Sequence, residues 1–88
     1  IMYHSAALGL IDRVKKVFST ETPSQIRIDS CFWVACSTGQ LETAQFLHQQ
    51  GADIDFVPDW DDESPLQAAQ KREKTEMANW LIEQGAKT

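Results

Sequence analysis

Apolar residues along this chain recur at three- and four-residue intervals, the spacing of an amphipathic helix. Glycine, proline and short polar residues, which end helices and start turns, stand between these stretches. The pattern predicts helices near residues 2–8, 10–19, 30–37, 41–50, 65–72 and 75–84. They form three pairs, each with a first helix rich in small residues and a second helix with larger apolar side chains. One pair cannot cover its own apolar faces, so the pattern predicts an all-α stack of helix pairs.

The second and third pairs are copies of one another. A shift of 34 residues places Gly51-Ala52 over Gly85-Ala86. The same shift matches Phe32 with Leu66, Ala35 with Ala69, Ala44 with Ala78, Phe46 with Trp80, and Leu47 with Leu81. The first pair is more diverged and matches the second through Gly9 and Gly39, at a shift of 30 residues. An internal repeat of this length is typical of a solenoid.

Glycines mark the points where each copy must turn. Gly39 separates the two helices of the second pair, and Gly51 and Gly85 each follow a second helix, where a positive φ is usual. The third pair carries Glu73 in place of the inner glycine, so we expect a strained or rebuilt turn there. In Ser64-Pro65 the hydroxyl can cap the next helix, and proline suits the first helical position.

The connection between the first and second pairs allows two interpretations. Thr22-Pro23-Ser24-Gln25 fits a capping box with proline at the first helical position, which would begin a long helix running towards Cys36. Alternatively, a shorter helix begins at Ser30, with Asp29 or Ser30 as its cap. The two interpretations differ in whether residues 23–29 are helix or loop.

Length and charge narrow the class of protein. The chain has 88 residues, which suits one small domain, and its net charge of −5 disfavours nucleic-acid phosphate as a partner. Its lysine and arginine clusters fit solvated helix faces. No apolar run is long enough for a membrane span, and no signal-peptide pattern opens the chain. Because the first residue is Ile1, we expect a fragment of a longer protein.

Residues that commonly carry catalysis or bind metals are few and scattered. Cys31 and Cys36 are five residues apart, which on one helix suits neither a disulfide nor a metal site and favours a reducing, cytoplasmic compartment. His4 and His48 belong to different helix pairs. The acidic stretch 53–63 lacks the glycine and terminal glutamate of a calcium loop. We therefore expect no catalytic residue, no metal site and no cofactor.

Residues 32–55, FWVACSTGQLETAQFLHQQGADID, and the opening Ser64-Pro65-Leu66-Gln67 resemble the ankyrin repeat family. The resemblance covers nearly the whole chain and is weaker before residue 30. It implies an ankyrin-repeat solenoid in a single domain, with repeats at about 1–29, 30–63 and 64–88. Gln67 replaces the family's usual histidine, which puts the hydrogen bond of that side chain in doubt. Asp62 stands where the family usually has glycine, which puts a tight turn in doubt.

The resemblance also implies a non-catalytic protein–protein interaction module. In the family, a partner protein contacts the loop tips and the surface of the first helices. Matched position by position, the partner-binding residues expected here are Trp60, Asp61, Glu63, Ala68, Lys71, Val34 and Ser37. Two other functions stay open: a structural appendage of a larger enzyme, or self-association through exposed apolar residues such as Met2, Ile11 or Val17.

Residues 53–63, called the finger below, connect the second and third repeats and carry Trp60 among carboxylates. One interpretation is recognition, in which the indole buries area and the acids select a basic partner. The other is that Trp60 or Phe56 packs back on the adjacent loop and the acids only solvate the tip. Of the other tryptophans, we expect Trp80 in the core and Trp33 half-buried.

Overall fold

The computed structural model describes residues 11–20 and 23–86. Within these ranges the chain forms five helices and no strand, which confirms the predicted all-α class. They are α1 (Ile11–Thr20), α2 (Gln25–Ser37), α3 (Leu41–Gln49), α4 (Pro65–Lys71) and α5 (Thr75–Glu83). The helix predicted at 2–8 lies outside the described residues.

The helices stack as pairs, with first helices against first helices. α2 packs on α3 in one pair and α4 packs on α5 in the next, while α2 also contacts α4, and α1 contacts α3. The small residues of α2 and α4 are fully buried, which lets these two helices approach closely; they are Ala35, Cys36, Ala68 and Ala69. The largest fully buried core side chains are Phe32, Leu47, Leu66, Met77, Leu81 and Val14.

The 34-residue shift holds in three dimensions. Five of the matched pairs are buried in both copies, namely Phe32 with Leu66, Ala35 with Ala69, Ala44 with Ala78, Leu47 with Leu81, and Ala52 with Ala86. Phe46 and Trp80 are both partly buried. The hydrogen bond that closes α2, from Gln40 N–H to the Ala35 carbonyl (2.9 Å), recurs from Lys74 N–H to the Ala69 carbonyl (2.8 Å). The predicted repeat is therefore a structural one.

Of the two interpretations of residues 23–29, the structure has the long helix, α2. It begins at Gln25, and the Ser24 hydroxyl caps it by accepting a hydrogen bond from the Arg27 backbone N–H at 3.4 Å. Pro23 precedes this cap and is not the first helical residue, which corrects the predicted register of the capping segment. Thr22 lies outside the described residues.

The first turn of α2 is held by the loop that follows α3. Asp29 is only 7% exposed, and its carboxylate accepts hydrogen bonds from the Asp53 backbone N–H (2.8 Å) and from Gln25 Nε2 (2.7 Å). Gln25 Nε2 also donates to the Gly51 carbonyl at 2.9 Å. Because these contacts satisfy a buried carboxylate, residues 25–29 are stable as helix instead of loop.

The turns follow the predicted pattern with one informative exception. Gly39, Gly51 and Gly85 have φ of 75°, 99° and 94°. Glu73, the counterpart of Gly39, has a φ of 58°, which is unusual for a residue with a side chain. The predicted strain at this turn is therefore present, and the turn keeps the geometry of its glycine counterpart.

Helix α4 begins with the cap that its sequence predicts. The Ser64 hydroxyl accepts from the Gln67 backbone N–H at 3.3 Å, and Gln67 Oε1 accepts from the Ser64 backbone N–H at 2.9 Å. Pro65 follows at the start of the helix. Gln67 thus supplies a helix-start hydrogen bond from the position where the family usually has histidine.

Candidate functional site

The finger ends in a turn that projects Trp60. The Asp61 backbone N–H donates to the Pro58 carbonyl at 3.3 Å, so Asp59 and Trp60 occupy the middle of this turn. Pro58 is buried and anchors its base. Among the described residues only Glu73 has a positive φ without being glycine, so Asp62 needs no glycine-like backbone. The turn spans residues 58–61 and therefore ends one residue before Asp62.

Trp60 is both packed and exposed. Its ring meets that of Trp33 edge-to-face, with centroids 5.6 Å apart and planes at 90°, yet 56% of Trp60 is accessible. The indole thus packs on α2 and not on the adjacent loop named in the second interpretation, while recognition through its exposed part stays a prediction. Trp33 is only 5% exposed, and its Nε1–H donates to the Glu63 carbonyl at 2.8 Å. This buried indole fixes both the base of the finger and the orientation of Trp60.

The expected burial of the other two tryptophans is wrong for both. Trp33 is buried where half-burial was expected, because the finger closes over it. Trp80 is only partly buried and lies at the edge of the core, where its ring contacts His48 (5.6 Å between centroids) and Phe32 (6.3 Å).

Glu63 ties the finger to the end of α4. Its Oε1 lies 2.9 Å from Lys71 Nζ, and its Oε2 lies 3.8 Å from an Arg72 guanidinium nitrogen. The hydrogen bond to Glu63, with its negative charge, raises the pKa of Lys71. The Arg72 guanidinium also lies over the Trp33 ring, 5.8 Å from its centroid. Glu63 is therefore engaged within the molecule and contributes little free charge to a partner.

The remaining acids give the finger its excess negative charge. Residues 53–63 hold six carboxylates and no lysine or arginine, in a chain whose net charge is −5. Asp59 and Asp62 are exposed and Asp61 is half-buried. Within the described part of the chain no cation pairs with these three side chains. The tip thus combines an exposed indole with three carboxylates that form no salt bridge among the described residues, although the charge of Asp61 acts on Lys71.

Some of the predicted contact residues lie around the finger, and the others are partly or fully buried. Trp60, Asp61, Glu63 and Lys71 come together around the finger, as their expected role requires. Val34 is partly buried against the core. Ala68 and Ser37 are 0% and 5% exposed, so the packed repeats leave them no side-chain surface to offer. The burial of these two side chains disfavours the contact role expected for them and places them in the packed interior.

Trp33 and Arg72 belong to this site although the sequence did not identify them. Trp33 has the polar Gln67 as its counterpart in the third repeat, so the repeat pattern predicts no special burial. Arg72 follows Lys71 at the end of α4 and has no sequence feature that separates it from a solvated base. Both are recognisable only once the finger has folded across them.

Metal binding and thiol reactivity can both be judged from the described residues. No group of three or more His, Cys, Asp or Glu side chains could hold a metal ion there. Cys31 and Cys36 are unpaired and buried, and burial raises the pKa of the Cys31 thiol to about 12 and that of Cys36 further still. Both therefore stay protonated at neutral pH, unlike nucleophilic cysteines. No helix in ranges 11–20 and 23–86 is both long and apolar enough to cross a membrane.

The comparisons agree with this architecture. A family model described as ankyrin repeats in three copies matches residues 1–88. The chain therefore belongs to the ankyrin repeat family. Members of this family are generally protein–protein interaction modules and generally non-catalytic. No curated protein sequence matches the chain.

Proposed function

We propose that the chain is a non-catalytic module that binds a partner protein through the finger, with Trp60 at the centre of the contact. Asp59, Asp61 and Asp62 surround this indole along the chain, and Lys71 borders it at the end of α4. The partner is a protein with a basic surface. The observation that carries the proposal is the 56% exposure of an indole that is already held in place by Trp33.

The exposed part of Trp60 is large enough to contribute substantially to binding. A tryptophan side chain buries about 150–250 Å² when it is covered. The accessible share of Trp60, 56%, is then about 85–140 Å², which at about 25 cal/mol per Å² amounts to roughly 2–3.5 kcal/mol. Since Trp33 fixes the ring beforehand, little rotamer entropy is lost when a partner covers it.

The charge of the finger supports a basic partner. The exposed carboxylates at the tip attract a positive surface during diffusional encounter, and this attraction is screened over about 8–10 Å at physiological ionic strength. Raising the salt concentration should therefore slow association more than it speeds dissociation.

Capture with matched variants tests the proposal. Proteins from a cell extract are captured on the immobilised chain, and the affinity of each candidate is measured for wild type, Trp60→Ala and Ile82→Ala. Ile82 is 44% exposed on α5 and serves as a control for removal of apolar surface elsewhere. We expect Trp60→Ala to weaken binding about tenfold to hundredfold, and Ile82→Ala to leave it unchanged. An affinity indifferent to both Trp60→Ala and salt would refute the proposal.

Self-association is a second candidate, because the exposed Ile82 is an apolar side chain on the last described helix. Light scattering over a range of protein concentration separates it from partner binding. A mass that rises with concentration in wild type and not in Ile82→Ala would support it.

A further inference from the structure

Two neighbouring cations beside the finger, Arg72 and Lys71, bind different kinds of group. The Arg72 guanidinium lies over the Trp33 ring, 5.8 Å from its centroid, and one of its nitrogens donates to the Ala68 carbonyl at 3.4 Å. Lys71 places its ammonium 2.9 Å from the Glu63 carboxylate, which an Arg72 nitrogen approaches only to 3.8 Å. A guanidinium is planar and weakly hydrated, so it stacks on an indole at small desolvation cost, whereas an ammonium is strongly hydrated and favours an anion.

Trp60 carries the same indole ring as Trp33, and much of its surface is accessible to a partner. Its edge-to-face contact with Trp33 fixes the orientation of the indole, and 56% of the residue is accessible. Asp59 and Asp61 flank it within the turn. These two acids are the chain neighbours of Trp60, and neither forms a salt bridge among the described residues. Trp33 has its cation in Arg72, while Trp60 has none in the described part of the chain.

We propose that the partner residue seated on Trp60 is an arginine, whose guanidinium stacks on the indole and donates hydrogen bonds to the carboxylates of the finger. This inference rests on the proposed function, because it names the chemistry of the partner at the same surface. Lysine is the weaker ligand there. Its ammonium presents no flat face to the ring and cannot bind a carboxylate through two parallel hydrogen bonds.

Two peptides of equal charge test this selectivity. The probes are blocked peptides of four Gly-Ser-Arg repeats and of four Gly-Ser-Lys repeats, added to the full ¹⁵N-labelled chain. The indole N–H signals are followed by NMR, and the Trp60 signal is assigned by its loss in Trp60→Phe. We expect the arginine peptide to shift the Trp60 signal and to bind about threefold more tightly than the lysine peptide.

Substitutions distinguish the contribution of the Trp60 indole to peptide binding from that of the carboxylates. Trp60→Leu keeps an apolar side chain and removes the ring, so the arginine preference should fall to the part that the carboxylates alone supply. Asp59→Asn with Asp62→Asn should weaken both peptides and keep the arginine preference, while Asp12→Asn, an exposed acid on α1, is the matched control. Circular dichroism of each variant verifies that the helices are retained.

The outcomes distinguish this inference from the proposed function. Equal affinity of the two peptides, or no shift of the Trp60 signal by the arginine peptide, overturns the arginine assignment. The proposed function still stands in either case if Trp60→Ala abolishes capture of a partner protein. If Trp60→Ala leaves capture unchanged as well, both fail together.

Discussion

The turn at Glu73 gives the sharpest stability prediction, because two copies of one turn differ there by a single residue type. Gly39 and Glu73 occupy matched positions, with φ of 75° and 58°. A residue with a side chain pays about 1–2 kcal/mol for a left-handed conformation. Glycine avoids this cost, but its greater conformational freedom in the unfolded chain lowers the free energy of unfolding by about 0.5–1 kcal/mol. We therefore expect Glu73→Gly to raise the free energy of unfolding by about 0.5–1 kcal/mol.

Glu73 offers few contacts to lose on substitution. It is exposed, and no described residue pairs with its carboxylate. The backbone bonds of the turn, from Glu73 N–H to the Gln70 carbonyl (3.1 Å) and from Lys74 N–H to the Ala69 carbonyl (2.8 Å), do not involve the side chain. Its negative charge does lie at the C-terminal end of α4, where the helix dipole disfavours it. Glu73→Gln removes that charge and keeps the strain, so it is the matched control.

Urea unfolding followed by circular dichroism, and independently by tryptophan fluorescence, measures the change. We expect the midpoint to rise in the order wild type, Glu73→Gln, Glu73→Gly, with an unchanged dependence on urea, and the melting temperature of Glu73→Gly to increase by about 2–6 °C. The converse change, Gly39→Ala, should destabilise, because a residue with a side chain is strained at a φ of 75°. If Glu73→Gly were no more stable than Glu73→Gln, the turn would not be strained and the reasoning would be refuted.

Two further predictions concern the core. Leu47→Ala and Leu81→Ala should each lower the free energy of unfolding by about 2–5 kcal/mol, because both side chains are fully buried, whereas Ile82→Ala should change it by less than about 1 kcal/mol in the same urea titration. Because burial raises the pKa of Cys31 and Cys36, the unfolded chain releases their protons first, so stability should fall as pH rises from about 9 to 11, by up to about 1.4 kcal/mol per pH unit for each thiol. A Cys31→Ala variant that showed the same decline as wild type would contradict this.

Local and periodic features of the fold were predictable from sequence. Leu47 and Leu81, 34 residues apart, are buried at matched positions. Both copies have apolar residues at the same helical spacing, so both bury the same face of the second helix. The cap at Ser64 and the strained turn at Glu73 were predictable for a related reason: each depends on the chemistry of a few adjacent residues.

Features that depend on contacts between distant segments were not predictable. Helix α2 starts at Gln25 because Asp29 finds its hydrogen-bond donor at Asp53, 24 residues away. Trp33 is buried because its indole donates to Glu63, 30 residues away. Neither contact leaves a periodic trace in the sequence. The exposed position of Trp60 was identifiable from composition, but the ring that fixes it was not.

The candidate surface depends on both repeats at once. Trp33 comes from the first helix of the second repeat, Lys71 and Arg72 come from the end of the first helix of the third, and the finger that carries Trp60 joins the two. Separation of α2 from α4 would remove the support of Trp60 and release Glu63 from its partners. A partner that binds only the assembled surface must therefore stabilise the stacking of the repeats by the free energy of its own binding. The recognition that we propose at the finger would therefore be thermodynamically coupled, through Trp33, to the packing of the two repeats.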